Sequence, residues 1–266
     1  MELPIARAAT NYVSNWSQKL REKPSVRSPI MWCRSLGRRP EKSTDRLISV
    51  MYHDVPAHAR ASFAEHLSYM RSLGDFVTPK QAIELLDRSE PMGGRYFCVT
   101  FDDGELSAYQ NAFPVLTEQE IPAAFFIVPS WVSSPDGSVG FDRKYVTWGE
   151  CRQMADHGIE IGSHSLTHRR FTTLDVEQAE DEMVLSKLRL ERELNRECEH
   201  FACPWGQPGH DYLTERDPQL AAKSGYRSFF TTIRGSARRG VSTWAIPRIR
   251  LEPDWGTYQL RYLFSR

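Results

Sequence analysis

Net charge is the first thing this 266-residue sequence lacks: 34 Lys and Arg are balanced by 34 Asp and Glu. A chain with no charge excess has no bulk field with which to gather nucleic acid, and it is not an acidic disordered tail. Any preference for a charged ligand has to come from a local site. Long apolar runs are missing too; nowhere do roughly 18 consecutive apolar residues occur, the length a membrane helix needs. The first 40 residues are polar and basic, from Arg7, Lys19 and Arg21 to Arg34, Arg38 and Arg39, with no apolar h-region. Neither a secretory signal nor a membrane span is therefore expected. Cysteine is sparse and irregular. Cys33, Cys98, Cys151, Cys198 and Cys203 are odd in number, and no pair has C-x-x-C spacing. That excludes a disulfide framework and a structural zinc knot, and it suits thiols in a reducing cytoplasm. Internal repeats, low-complexity segments and a glycine-rich dinucleotide loop are also absent.

What is present reads as one extension and one body. Residues 1–44 look like an appendage in which Val13, Trp16 and Leu20 could form one amphipathic helix. From residue 45 to residue 266, short apolar runs alternate with helical patterns. Strands are expected at Leu47–Tyr52, Tyr96–Phe101, Ala123–Val128, Ile159–Ser163, Phe201–Cys203, Arg227–Thr231 and Ala245–Leu251. Helices are expected at Phe63–Leu73, Thr78–Leu86, Thr147–His157 and from Asp175 to about Arg196. About seven strands alternating with helices imply an α/β fold of parallel βα units, closed or nearly closed into a barrel.

In such barrels chemistry sits at the C-terminal ends of strands, and the polar residues fall there. Asp102-Asp103-Gly104 follows one buried strand directly. Two adjacent carboxylates repel unless a cation lies beside them. Ser163-His164-Ser165-Leu166-Thr167-His168 follows another strand, and two histidines four apart can meet on one divalent metal. Two histidines and one carboxylate leave open positions on the ion, the mark of a catalytic site. Phe201-Ala202-Cys203-Pro204-Trp205-Gly206 puts an aromatic on a constrained loop, and Tyr52-His53-Asp54 ends the first strand of the body. His58, His66, His157, His200 and His210 read as surface or loop residues.

VTFDDG at 99–104 and SHSLTH at 163–168 resemble the first two motifs of the polysaccharide deacetylases, carbohydrate esterase family 4, also called the NodB homology domain. The resemblance covers about residues 46–251. It implies a distorted (β/α)7-type barrel and metal-dependent hydrolysis of an acetamido group on an amino sugar. A Tyr-His pair ahead of the Asp-Asp motif, with no late histidine but His210, is similar to the circularly permuted exopolysaccharide N-deacetylase branch. The roles the resemblance implies are Asp102 as base, His53 as acid, and Asp103, His164 and His168 as ligands of a divalent ion. Zinc is the first choice of ion, with Co2+, Fe2+ or Ni2+ as alternatives. Tyr52, Pro204, Trp205 and Gly206 would meet the substrate, Trp205 by stacking on a sugar face. The arginine usual in the third motif is replaced by Ala202, and Arg248 is the candidate to partner Asp102 instead. The expected substrate is an acetylated amino sugar, in a glycan or a lipid- or nucleotide-linked precursor. A small cyclic amide or imide, or a non-catalytic carbohydrate-binding relic of the fold, are the competing readings.

Overall fold

The computed structural model describes residues 45–133 and 143–265. The expected N-terminal extension, with its helix on Val13, Trp16 and Leu20, lies outside the described residues, as does Cys33. The body is one compact unit ending at Trp255, whereas Gly256–Arg266 belongs to a second unit.

In chain order the body contains β1 (Arg46–Tyr52), α1 (Arg60–Arg71), β2 (Asp75–Phe76), α2 (Pro79–Asp87), β3 (Arg95–Phe101), α3 (Leu106–Asn111), α4 (Phe113–Glu118), β4 (Ala123–Ile127), α5 (Trp148–Asp156), β5 (Glu160–Ser163), α6 (Val176–Leu194), β6 (His200–Ala202), α7 (Asp217–Lys223), β7 (Ser228–Phe230) and β8 (Arg248–Arg250). The second unit contributes α8 (Thr257–Phe264), an amphipathic helix that buries Leu260, Leu263 and Phe264.

Seven strands lie in the order β7-β6-β5-β4-β3-β1-β8, and every pairing is parallel. The short β2 pairs with β3 off this path. The two ends of the sheet nearly meet. Phe230 bridges to Ile246, the Thr231 N–H donates to the Ile246 carbonyl at 2.9 Å, and the Arg248 N–H donates to the Ile233 carbonyl at 2.9 Å. The result is the nearly closed (β/α)7 barrel that the strand count implied. Its central strands are buried on both faces, which is why they read as continuous apolar runs (LISVMY, YFCVTF, AAFFI) and not as alternating ones.

Local chemistry fixes the helix ends. Thr78, Thr147 and Asp175 each form a capping box, with Gln81, Glu150 and Gln178 respectively. Asn195, in the left-handed conformation at φ 51°, stops α6. The four shorter helices α3, α4, α7 and α8 carried too few turns to stand out by periodicity.

Alternation along the strands sorts side chains between the barrel interior and the helix layer. Inside, Leu47, Cys98, Ala124, Phe126, Ala202 and Phe230 form one apolar cluster with Ile83, Leu85 and Leu86 of α2. Outside, Tyr52, Phe63, Phe101 and Phe125 stack edge to face and face to face, with ring centroids 4.4–5.9 Å apart. This pattern overturns one sequence expectation. Tyr52 does not face a substrate; it is 0% exposed, and its hydroxyl pairs with His66 Nδ1 at 3.1 Å. Because strand side chains alternate, the residue that sends His53 to the barrel mouth must itself turn outward, against α1. His66 is likewise buried and not on the surface. Its Nε2 sits 2.6 Å from the Trp255 carbonyl, so it ties α1 to the segment after β8. His200 is also buried, between Ser228 and Glu160.

Candidate active site

The C-terminal ends of β1, β3 and β5 bring the expected groups together. Register places Tyr52 beside Phe101, so His53 and Asp102 follow on neighbouring strands, and the Asp102 N–H donates to the Tyr52 carbonyl at 3.0 Å. His164 follows β5 and is anchored by its N–H to the Ile127 carbonyl at 2.8 Å.

Asp102 is 2% exposed and faces Arg248, which is 1% exposed. The two form a bidentate pair, Nη1 to Oδ1 at 2.7 Å and Nη2 to Oδ2 at 2.8 Å. Arg248 also donates to the Thr231 carbonyl at 3.0 Å and to Thr100 Oγ1 at 3.2 Å, and its guanidinium lies over the rings of Phe126 and Phe230. β8 thus sets beside Asp102 the guanidinium that the sequence offered as its candidate partner. Burial pushes the Asp102 carboxyl up, but the charge and hydrogen bonds of Arg248, with His164 and His53, outweigh it and hold the pKa at about 2.

Asp103 points the other way. Its Oδ1 lies 3.5 Å from His164 Nε2 and 3.4 Å from His168 Nε2. Ligand atoms held about 2.0–2.2 Å from one tetrahedral ion lie roughly 3.3–3.6 Å apart, so these separations suit a shared metal. Two further observations support the fit. Asp103 Oδ1 is buried with no hydrogen-bond partner, an arrangement that is costly unless a ligand satisfies it. His164 Nδ1 lies 2.7 Å from the Ala202 carbonyl; as the donor to that oxygen it leaves the Nε2 lone pair for a metal. Burial first, then the charges of Asp102 and Glu105, push the Asp103 carboxyl up to about 7. Burial likewise pulls His164 down to about 3 and lowers His168. Among the described residues, Asp103, His164 and His168 are the one such cluster able to hold an ion.

Backbone strain collects here. Asp103, Ser165, His168 and Trp205 all have φ between 61° and 71°, a region that disfavours side chains other than glycine. In the turn after β6, Pro204 and Gly206 are buried and shape the backbone, while Trp205 is 55% exposed. At Gly206, with φ 69°, an added Cβ would lie 2.8 Å from the Thr232 nitrogen. The Cys203 and Gly206 N–H groups already donate to the Phe230 and Pro204 carbonyls. The side of the site bounded by His168 is aromatic. Its ring lies between Trp131 at 4.7 Å and Trp205 at 5.3 Å. Trp131 stacks on Tyr145, and Arg170 lies over Trp205. Trp131 follows β4 in the run Val128-Pro129-Ser130-Trp131, and the strand-end rule that picked out the other motifs also points to it. His53 is partly buried; burial lowers its pKa, the nearby Asp102 carboxylate opposes that, and Arg250 and Arg248 add to it. Asp54 is exposed.

Residues 89–229 match the family model for polysaccharide deacetylase. YxkH of Bacillus subtilis (strain 168), a protein assigned to the polysaccharide deacetylases, is 28% identical over 214 residues, spanning 78% of this chain and 72% of its own length. The poly-beta-1,6-N-acetyl-D-glucosamine N-deacetylase of Escherichia coli (strain K12) is 29% identical over 136 residues. That match spans 44% of this chain and 20% of the relative. The structure of IcaB from Ammonifex degensii superposes with a TM-score of 0.69 at 25% identity, covering 84% of this chain and 98% of that one. The Streptococcus pyogenes deacetylase PplD, solved with acetate, superposes with a TM-score of 0.71 at 22% identity over 84% and 99% of the two chains, a likeness of fold. No helix among the described residues is long and apolar enough to cross a membrane.

Proposed function

The chain belongs to the polysaccharide deacetylase family, and from that premise we propose that it removes N-acetyl groups from an amino-sugar glycan or glycan precursor in a metal-dependent hydrolysis. The observation that carries this reading is the convergence of Asp103, His164 and His168 beside a carboxylate held ionised by a buried arginine.

Asp103, His164 and His168 would hold the divalent ion; two imidazoles and a carboxylate suit zinc, the first choice, and also Fe2+. When bound, such an ion lowers the pKa of water and polarises an amide carbonyl. The remaining work belongs to the protein. Each Asp102 oxygen accepts one hydrogen bond from Arg248 and keeps a further lone pair, so Asp102 takes a proton from the attacking water. Its depressed pKa keeps it charged at every working pH, at the cost of basicity; an acidified water is therefore the partner it requires. His53 protonates the departing amine. A lowered pKa makes its imidazolium a stronger acid, although fewer molecules carry the proton near neutrality. Trp205 and Trp131 offer flat apolar faces on which a pyranose ring can stack. The N–H of Trp205 is proposed to meet the developing oxyanion.

The deciding experiment is an acetate-release screen over chitooligosaccharides, poly-N-acetylglucosamine and nucleotide- or lipid-linked amino sugars, with and without chelator. Chelator-sensitive release from one of these classes is expected. A zinc-loaded protein that releases acetate from none of them would overturn the reading. In the same screen His164→Ala is expected to bring bound zinc, measured by elemental analysis, close to background together with activity. A full zinc complement in that variant would remove His164 from the ligand set.

Proton competition gives a further expectation. In the metal-free protein Asp103 holds a proton below a pH of about 7, and metal must displace it. Apparent zinc affinity should therefore fall about tenfold for each pH unit below 7 and level off above it. Burial pulls His164 down to about 3, out of this range, and lowers His168 as well, so a proton on His168 would steepen only the acid end. Competition titrations with a chromophoric chelator between pH 5.5 and 8 would show this; a flat affinity would exclude Asp103 as the competing group.

A further inference from the structure

The two histidines sit at opposite ends of the Ser163–His168 turn, and the distance between them depends on what braces the residues in between. Local hydrogen bonds account for part of that bracing: Ser165 N–H donates to Ser163 Oγ at 3.2 Å, and His168 N–H donates to Ser165 Oγ at 2.9 Å. From outside the turn, Ser130 N–H donates to the Leu166 carbonyl at 3.1 Å, and the remaining contacts come from α6, most of them from one residue. Leu166 N–H donates to the Glu182 carbonyl at 3.0 Å. Thr167 N–H donates to Glu182 Oε2 at 2.8 Å, and Thr167 Oγ1 donates to Glu182 Oε1. Next along the same helix face, Ser186 pairs with Ser163 at 2.7 Å.

Glu182 is 6% exposed, and none of the ion pairs among the described residues includes it. A carboxylate buried without a cation is expensive, so its hydrogen bonds have to compensate. Both of its oxygens go to Thr167, the residue that immediately precedes His168. Its charge also reaches the His168 ring.

We propose that Glu182 is a positioning residue for the metal centre: by clamping Leu166 and Thr167 it sets the reach between His164 and His168. This rests on reading Asp103, His164 and His168 as the metal ligands. Nothing in the turn's own sequence requires the clamp. SHSLTH could close on its serine hydrogen bonds with the Ser130 and Ser186 contacts, and Thr167 and His168, whose backbone is at φ 62°, would then be free to relax away from Asp103.

The test measures zinc affinity by chelator competition and the thermal midpoint of the metal-free protein, side by side, on the full chain. Glu182→Ala is expected to weaken zinc binding about 10- to 100-fold, the range typical when a partner behind a metal ligand is lost. Glu182→Gln is expected to recover most of that loss, since its amide can accept from the Thr167 N–H and donate to Oγ1. If Glu182→Ala does not fold, Thr167→Ala takes its place, with a smaller loss in the same direction. Zinc affinity unchanged from wild type, with only the midpoint lowered, would make Glu182 a fold brace and overturn the proposal. Failure of the wild-type chain to bind zinc would instead overturn the metal reading beneath it, so the two failures are distinguishable.

Discussion

Asp102→Asn is expected to lose about 10²- to 10⁴-fold in turnover, the usual worth of a general base, while zinc binding stays close to wild type. The separation of the two effects follows from the geometry. Asp102 Oδ2 lies 3.8 Å from His164 Nε2, whereas Asp103 Oδ1 lies nearer both imidazoles and has no hydrogen-bond partner. Adjacent carboxylates are thus driven to different tasks, one held near a pKa of 2 by an arginine and the other pushed up to about 7 in the absence of metal. Steady-state kinetics on a substrate from the acetate screen, paired with elemental analysis, would test this. Near-normal turnover with a full metal complement would remove Asp102 from the mechanism.

Arg248→Met should be the most damaging substitution for stability. It leaves Asp102 buried without its cation, and breaking a buried pair from one side costs about 3–5 kcal/mol. For a body of this size each kcal/mol moves the thermal midpoint by about 2–4 °C, so a drop of roughly 10 °C is expected. In the wild type the carboxyl pKa is depressed, so the pair's stabilisation is present above the unfolded value of about 3.9 and is lost as pH falls through about 2. In the variant, burial acts with far less opposition and the carboxyl titrates at higher pH. The stability gap between the two proteins should then narrow as pH is lowered, and the acid limb of activity should move upward. Combining Arg248→Met with Asp102→Asn removes the stranded charge and is expected to recover stability but not turnover. A thermal midpoint for Arg248→Met within about 2 °C of wild type, less than 1 kcal/mol on this scale, would mean that Asp102 does not depend on the guanidinium.

The candidate metal cluster was legible in the sequence because its parts are short and sit at strand ends: Asp102-Asp103 directly after a buried run, and His164 and His168 four apart after another. Arg248 was legible by a longer route, since an absence at position 202 called for a cation and the last strand offered one. Tyr52 was misplaced because it adjoins His53 in the chain, and neighbours on a strand face opposite ways. His66 was placed at the surface and His200 in a polar loop because a local pattern says nothing about what a distant segment, such as Trp255 or Ser228, lays over it. Glu182 gave no signal, because on a long charged helix a buried glutamate looks like its exposed neighbours. The barrel was legible from the rhythm of buried runs; its near-closure through Phe230 and Ile246 depends on contacts that local pattern does not encode.

The pairing of Asp102 with Arg248 spans 146 residues, whereas the three ligand positions lie between 103 and 168. A ribosome therefore delivers the candidate metal cluster long before the guanidinium that faces Asp102. Until β8 is made and docks beside β1, Asp102 has no guanidinium to face, and long-range strand closure of this kind is the slow part of assembling a parallel barrel. The buried Asp102–Arg248 pair is thus among the last contacts that a growing chain can complete.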